Sequence, residues 1–270
     1  MSDTVRMALD LSVNLARQAG VMLIERLGKG VEMELKGKID PVTELDRQVE
    51  DFLVSRILEQ FPDHAILAEE DTRTPGKSDY RWVIDPLDGT TNYAHGYPCF
   101  TVSIALESGG EAVMGVIYQP ALDEMFTATR GGGTLLNGHP VTVSPQAELG
   151  KAFLVTGWPY NIQEPDVLRR NMERLEKFLG RSFAVRRDGS AAYNLACIAA
   201  GRFDGMWEEG LKCWDTSAGV LMVLEAGGVV SDFNGTAYRG KQNQPILVAG
   251  TKELHTRMLA LLGSGAGKGG

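Results

Sequence analysis

The chain has 270 residues, 43% hydrophobic and 23% charged, which allows a sizeable core and excludes a compositionally disordered chain. At about 150 residues per domain, the length predicts two domains or one large α/β unit. Its 27 basic and 35 acidic side chains leave a net charge of −8, which argues against direct nucleic-acid binding and an anionic membrane surface, though not against an anionic substrate reached through bound cations.

Met1 to Asp10 carries acids and lacks the apolar core of a signal peptide. Leu9, Val13, Ala16, Leu23 and Leu27 fall near one helical face, and Gly28 and Gly30 stop that helix. Thr43 reads as the N-cap of a second helix with Leu45, Val49, Phe52, Leu53 and Ile57 apolar, ended by Pro62. Ile66-Leu67-Ala68 and Trp82-Val83-Ile84 are short apolar strands, each running into acids. Residues 100–106 and 112–118 flank Gly109-Gly110 as a hairpin, residues 124–129 extend it to a meander, and Asn137-Gly138 marks a turn before Val141-Thr142-Val143. Strands and helices then alternate: strand 153–156, helix 165–179, strand 183–187, helix 190–200, a strand at Met206-Trp207, and a helix over 215–226 ended by Gly227-Gly228. Residues 229–233 open another hairpin, 246–249 is a buried strand, and Thr251 caps a last helix. The change of pattern predicts an α+β half over residues 1–150, an α/β half over 151–262 and a low-complexity tail over 263–270.

No apolar run approaches the length of a membrane span. Cys99, Cys197 and Cys213 are odd in number and widely spaced, which fits neither a disulfide framework nor a zinc pattern and points to a reducing cytoplasm. The four histidines show no metal-ligand spacing.

The chemistry lies in carboxylates at strand ends and helix starts: Asp46, Glu69-Glu70-Asp71, Asp85 with Asp88, and Asp215. In Asp85-Pro86-Leu87-Asp88-Gly89-Thr90-Thr91, proline pushes Asp85 out of the helical region, so a strand can turn and aim both aspartates into one space. Leu87 offers only its carbonyl there, and free amides at a following helix start would face an anion. Such a set suits oxygen-ligated Mg²⁺ beside a phosphate. Each piece has a plainer reading: Asp46 or Asp215 as a helix cap, the 69–71 acids as a solvated loop, Asp85 and Asp88 as an Asx-turn with a cap. Against the plainer reading, Glu69 and Asp85 both follow buried runs, where gathered like charges call for cations.

The sequence resembles the inositol monophosphatase family. Residues 82–98, Trp82-Val83-Ile84-Asp85-Pro86-Leu87-Asp88-Gly89-Thr90-Thr91-Asn92-Tyr93-Ala94-His95-Gly96-Tyr97-Pro98, form one signature. Trp214-Asp215-Thr216-Ser217-Ala218-Gly219, continuing to Glu225-Ala226-Gly227-Gly228, forms a second. Asp40-Pro41-Val42-Thr43-Glu44-Leu45-Asp46 and Ala68-Glu69-Glu70 match in order, and the likeness runs from about residue 5 to residue 262. The resemblance implies a layered α-β-α-β-α sandwich of the inositol monophosphatase and fructose-1,6-bisphosphatase type. It also implies Mg²⁺ dependence with two or three ions, lithium sensitivity and a homodimer. By matching position, Glu69, Asp85, the Leu87 carbonyl, Asp88 and Asp215 would hold metal. Glu69 and Thr90 would orient the attacking water, with Asp46 beside Thr90. Asp88, Asp215 and the Gly89 and Thr90 amides would contact substrate, Gly189, Ser190 and Ala191 would line its pocket, and Glu208 would accept from its hydroxyls. Lys36 matches a family lysine near the metals. Lys212 stands where some relatives carry histidine or arginine, and its cation suits a second anionic group.

The implied activity is hydrolysis of a phosphate monoester, with inositol 1-phosphate first among substrates. Histidinol phosphate, fructose 1,6-bisphosphate, nucleotide phosphates and NADP are handled by relatives on the same scaffold. The rival of another class is a non-catalytic regulatory partner of RNA polymerase or of ribosome-associated machinery. A dinucleotide site at Gly131-Gly132-Gly133 fails, because no helix follows those glycines.

Overall fold

The computed structural model describes residues 2–29, 33–36, 40–70, 72–240 and 244–263, with 33–36 and 40–43 by their backbone. Gly30, Asp71, residues 264–270 and the side chains of Lys36 and Thr43 lie outside the described part.

The first helix, α1 (Asp3–Arg26), is capped by Ser2, whose hydroxyl accepts from Val5 N at 3.3 Å. Its buried stripe runs through Val5, Ala8, Leu15, Ala16, Ala19 and Leu23, slightly rotated from the expected face, so Leu9, Val13 and Leu27 are only half-buried. The alanines let the helix lie close to the sheet beneath. A short antiparallel pair, β1 (Met33–Lys36) and β2 (Asp40–Thr43), precedes α2 (Glu44–Gln60).

The first large sheet contains β3 (Ala65–Ala68), β4 (Arg73–Thr74) and β5 (Tyr80–Asp88), followed by the short helix α3 (Thr90–Ala94). It continues through β6 (Thr101–Ser108), β7 (Glu111–Gln119), β8 (Glu124–Thr129), β9 (Gly133–Leu136) and β10 (His139–Val141). The eight strands are ordered β10-β9-β8-β7-β6-β5-β3-β4, all pairs antiparallel except β3 with β5. Left-handed residues at Gly109-Gly110 and Asn137-Gly138 make the tight hairpin turns that the sequence announces.

The second sheet is formed by β11 (Phe153–Thr156), β12 (Ala184–Arg186), β13 (Gly205–Glu208), β14 (Val229–Ser231) and β15 (Ile246–Ala249), in the order β12-β11-β13-β15-β14. The strands alternate with α4 (Pro165–Leu179), α5 (Ala191–Ala199), α6 (Cys213–Glu225) and α7 (Lys252–Gly263). Thr251 Oγ1 accepts from Leu254 N at 3.1 Å, the expected cap of α7.

Five layers result, α-β-α-β-α. Helices α1 and α2 cover one face of the large sheet, α5 and α6 fill the space between the sheets, and α4 with α7 closes the far side. The middle layer explains part of the second signature. A side chain at Gly115 would press Ala218 at 3.0 Å, and one at Gly219 would press Leu195 at 2.5 Å. Small residues let α6 sit tightly between β7 and α5. No helix among the described residues is long and apolar enough to cross a membrane.

Candidate active site

Strand register gathers the first carboxylates. In the parallel pair β3 and β5, Ala68 lies opposite Ile84, so the next residues, Glu69 just past the end of β3 and Asp85 within β5, lie side by side. Glu69 N donates to Ile84 O at 3.2 Å, which fixes that exit. The strand β5 runs on through Pro86, beyond the run expected from Trp82 to Ile84. Its pairing with β3 ends at Ile84, so proline's missing N–H breaks no bond on that side. Between Asp85 and Asp88 the register against β6 shifts, with Asp85 opposite Ser103 and Asp88 opposite Thr101. In a regular strand, residues three apart face opposite ways; the extra residue of this bulge turns Asp85 and Asp88 toward the same space. Leu87 N donates to Asp85 Oδ1 at 3.0 Å, the local Asx-type bond.

Gly89 then takes φ +102, and a side chain on it would press Cys99 O at 2.9 Å. Thr90 opens α3 with its Oγ1 at 3.1 Å from both Asp46 Oδ1 and Leu87 O. Asp46 is fully buried behind Thr90, in the first turn of α2.

The second half supplies the opposite wall. Asp88 Oδ2 accepts from Ser190 Oγ at 2.6 Å and from Ala192 N at 2.8 Å, which ties the large sheet to the start of α5. Asp215 Oδ2 accepts from Lys212 N at 2.6 Å, so the aspartate does cap α6, while it also lines the cavity. Glu208 ends β13 beside Gly157, because Thr156 pairs with Trp207 in the parallel register of β11 and β13. Any side chain at Gly157 would overlap the Glu208 carboxylate. Asn92 donates to Cys99 O and Asp188 O, both at 2.7 Å, which ties α3 to the loop bearing Gly189.

These groups enclose one cavity of about 450 Å³. Glu69, Asp85, Leu87, Asp88, Gly89, Thr90, Gly189, Ser190, Ala191, Glu208 and Asp215 all line it. Burial first, then the charges of Glu69, Asp88 and Asp215, pushes Asp85 well above the ordinary carboxylate range. Asp215 is pushed up well too, by burial and then Asp88, while Asp88 rises by burial against the hydrogen bond from Ser190. Glu208 is pushed up to about 8, by burial and then the charge of Asp88.

The donor set suits a hard divalent cation: buried oxygens of like charge that repel one another, beside a Glu208 Oε2 with no partner among the described residues. Among the described residues, no three acidic, histidine or cysteine side chains already form a closed ligand cage. The carboxylates are gathered and mutually repelling, which is the arrangement that cations would draw together. The thiols are no rivals as nucleophiles, since burial pushes Cys99 up to about 12 and raises Cys213 as well.

Sequence reasoning missed several participants. Glu50, 2% exposed, holds the loop after Glu69 by bonds to Glu70 N at 2.7 Å and Thr72 N at 3.3 Å. An acid on the apolar face of a helix was the available signal. Asn194 leaves Oδ1 buried and unpartnered among the described residues, and Arg187 was missed as well; it lies on the rim with Trp158, Tyr160 and Lys212, of which Lys212 was expected from the sequence. The three glycines at 131–133 prove to be a turn held by one side chain: Glu225 of α6 accepts from Gly131 N at 2.9 Å and Gly133 N at 3.0 Å.

Comparison with known proteins adds a family. The model of the inositol monophosphatase family matches residues 5–265. A Pseudomonas aeruginosa protein named Nus factor SuhB is 43% identical over 84% of this chain and 86% of its own. An inositol-1-monophosphatase of Mesorhizobium japonicum is 41% identical over 84% of this chain and 86% of its own. The crystal structure of the extragenic suppressor protein suhB from Bartonella henselae superposes with a TM-score of 0.89 at 38% identity, covering 96% of this chain and 99% of that one.

Proposed function

The chain belongs to the inositol monophosphatase family, and from that premise we propose that it releases phosphate from a phosphorylated polyol, inositol 1-phosphate first, with Mg²⁺ as cofactor. The observation that carries this reading is the meeting of Glu69, Asp85, Asp88 and Asp215, from separate parts of the chain, on one cavity with Gly89 and Thr90.

Glu69, Asp85, the Leu87 carbonyl, Asp88 and Asp215 would hold two or three ions. Bound there, Mg²⁺ would neutralise the carboxylates, make water more acidic and stabilise the leaving oxygen. The chain's own part is orientation. Thr90 Oγ1 has a single proton, and both Asp46 Oδ1 and Leu87 O stand ready to accept it. Its lone pairs are thereby free to accept one hydrogen of a water, while Glu69 accepts the other. The water's remaining lone pair then points at phosphorus. The Gly89 and Thr90 amides would meet phosphate oxygens. Glu208, wedged against Gly157, would receive substrate hydroxyls, and Ser190 would keep Asp88 turned into the cavity.

Arg187 and Lys212 also line this space, and among the described residues neither is in an ion pair. Substrates with a second anionic group therefore belong in the test. Phosphate release from inositol 1-phosphate, histidinol phosphate, fructose 1,6-bisphosphate, a nucleoside monophosphate and NADP should be compared, with Mg²⁺ and with EDTA. The expected outcome is highest kcat/KM on inositol 1-phosphate and no turnover in EDTA. Turnover indifferent to EDTA overturns the metal assignment, and a different leading substrate overturns the specificity. Lithium inhibition, a homodimer and a cytoplasmic location belong to the same proposal.

The name of the Pseudomonas relative, Nus factor, supports a second reading, that of a protein partner in transcription. The net charge of −8 favours a protein contact over direct binding to nucleic acid. Copurification with RNA polymerase, undiminished by Asp85→Asn, is the outcome this reading requires.

A further inference from the structure

Helix α2 carries two buried carboxylates four residues apart, Asp46 at 0% exposure and Glu50 at 2%. Four residues are about 6 Å of helix, roughly one turn, so both project from one side. Helical apolar faces rarely carry acids, because an unpaired buried charge is costly. Each of these is held by specific donors. Asp46 Oδ1 is the partner of Thr90 Oγ1 at 3.1 Å. Glu50 accepts from Glu70 N at 2.7 Å, from Thr72 N at 3.3 Å and from Thr72 Oγ1 at 2.5 Å. The same loop is closed by Ala68 N donating to Thr72 O at 3.0 Å.

The two anchored segments bear the two residues assigned to the attacking water. Thr90 is held directly, and Glu69 sits next to the amide that Glu50 holds. We propose that Glu50 is a positioning residue for the hydrolytic reaction: with Asp46 it makes α2 a ruler, one helical turn long, that fixes the separation of Glu69 from Thr90. This inference rests on the hydrolase reading above. Glu50 touches neither the cavity nor the substrate and acts through the loop. Both its oxygens are used as acceptors, and an amide presents only one acceptor oxygen and turns N–H groups toward N–H donors. A displacement of the loop by a fraction of an ångström leaves binding intact while it spoils the aim of the water.

The test is Glu50→Gln in the full chain with Mg²⁺ and inositol 1-phosphate, or the leading substrate of the panel. The expected result is a fall in kcat of about tenfold or more, with KM within about threefold of the parent. Amide hydrogen exchange at Glu70 and Thr72 should accelerate by about tenfold with or without metal, while the rest of β3 and β5 is unchanged. Thr72→Val, which removes one donor from the far side, is the second variant should Glu50→Gln not fold, and it should lower kcat by about threefold or more at unchanged KM. Val49→Ala, a cavity in the core face of the same helix, is the control: it should lower the melting temperature and leave kcat as it was. Parental kcat in Glu50→Gln, or in Thr72→Val if the first variant does not fold, overturns the proposal. A fall matched by Val49→Ala also overturns it. An inactive parent would instead overturn the hydrolase reading itself.

Discussion

Asp85 is buried beside three other carboxylates, so replacing it with asparagine removes a charge that the folded chain holds at a cost. Asp85→Asn should abolish most phosphate release, by about a thousandfold, as expected if roughly 4 kcal/mol of transition-state charge stabilisation is lost. In EDTA its melting temperature should be no lower than that of the parent. Phosphate assay and thermal melting read the two effects separately, and a variant that retains turnover contradicts the assigned role. Gly157 gives a second test. Gly157→Ala forces the Glu208 carboxyl group from its seat, so KM for a polyol phosphate should rise about tenfold, the scale of one lost hydrogen bond. Hydrolysis of p-nitrophenyl phosphate, whose leaving group has no further hydroxyls, should stay within about twofold. The aspartates of the two signatures were legible because their spacing is local. Gly157 and Glu50 were not, because each is defined by a partner 51 or 20 residues away.

At the scale of elements, sequence periodicity located the meander and the alternating helices, since both depend on local apolar pattern. It missed β1, whose Met33-Glu34-Leu35-Lys36 alternates but spans only four residues, β2, which contains a proline, and β9, which follows a run of glycines. It also stopped β5 before Pro86, although a strand with one side unpaired tolerates proline. The bulge between Asp85 and Asp88 depends on the β6 register, and Pro86 is its one local signal. Glu225 shows that membership of a signature does not imply chemistry. Its two oxygens hold the Gly131 and Gly133 amides and so clamp the end of α6 to the turn before β9. Glu225→Ala should cost about 1–2 kcal/mol in denaturant unfolding, the range for partly exposed bonds to a charged acceptor, and leave kcat unchanged. A loss of turnover at full stability would place Glu225 in the reaction instead.

At the scale of the molecule, the site lies where the two sheets meet, and the charges that face each other come from both. Asp88 extends from the large sheet and Glu208 from the smaller one, and burial with the charge of Asp88 raises Glu208 from 4.5 to about 8 while Arg187 opposes the shift. Folded Glu208 therefore keeps its proton over a pH range in which the unfolded chain has released it. The unfolded state binds fewer protons there, so stability is highest below the unfolded value and is lost as pH rises through the folded one. Metal-free protein should thus melt at a lower temperature at about pH 8.5 than at about pH 5, and Glu208→Gln should flatten that difference. Mg²⁺ should raise the melting temperature more at the higher pH, because it binds the ionised cluster and adds stability by mass action. Calorimetry across the pH range, with and without EDTA, reads both slopes. A metal-free melting temperature that holds level or rises with pH would mean that the two halves do not bring uncompensated acids together. The same result would remove the electrostatic reason for a cation at the junction.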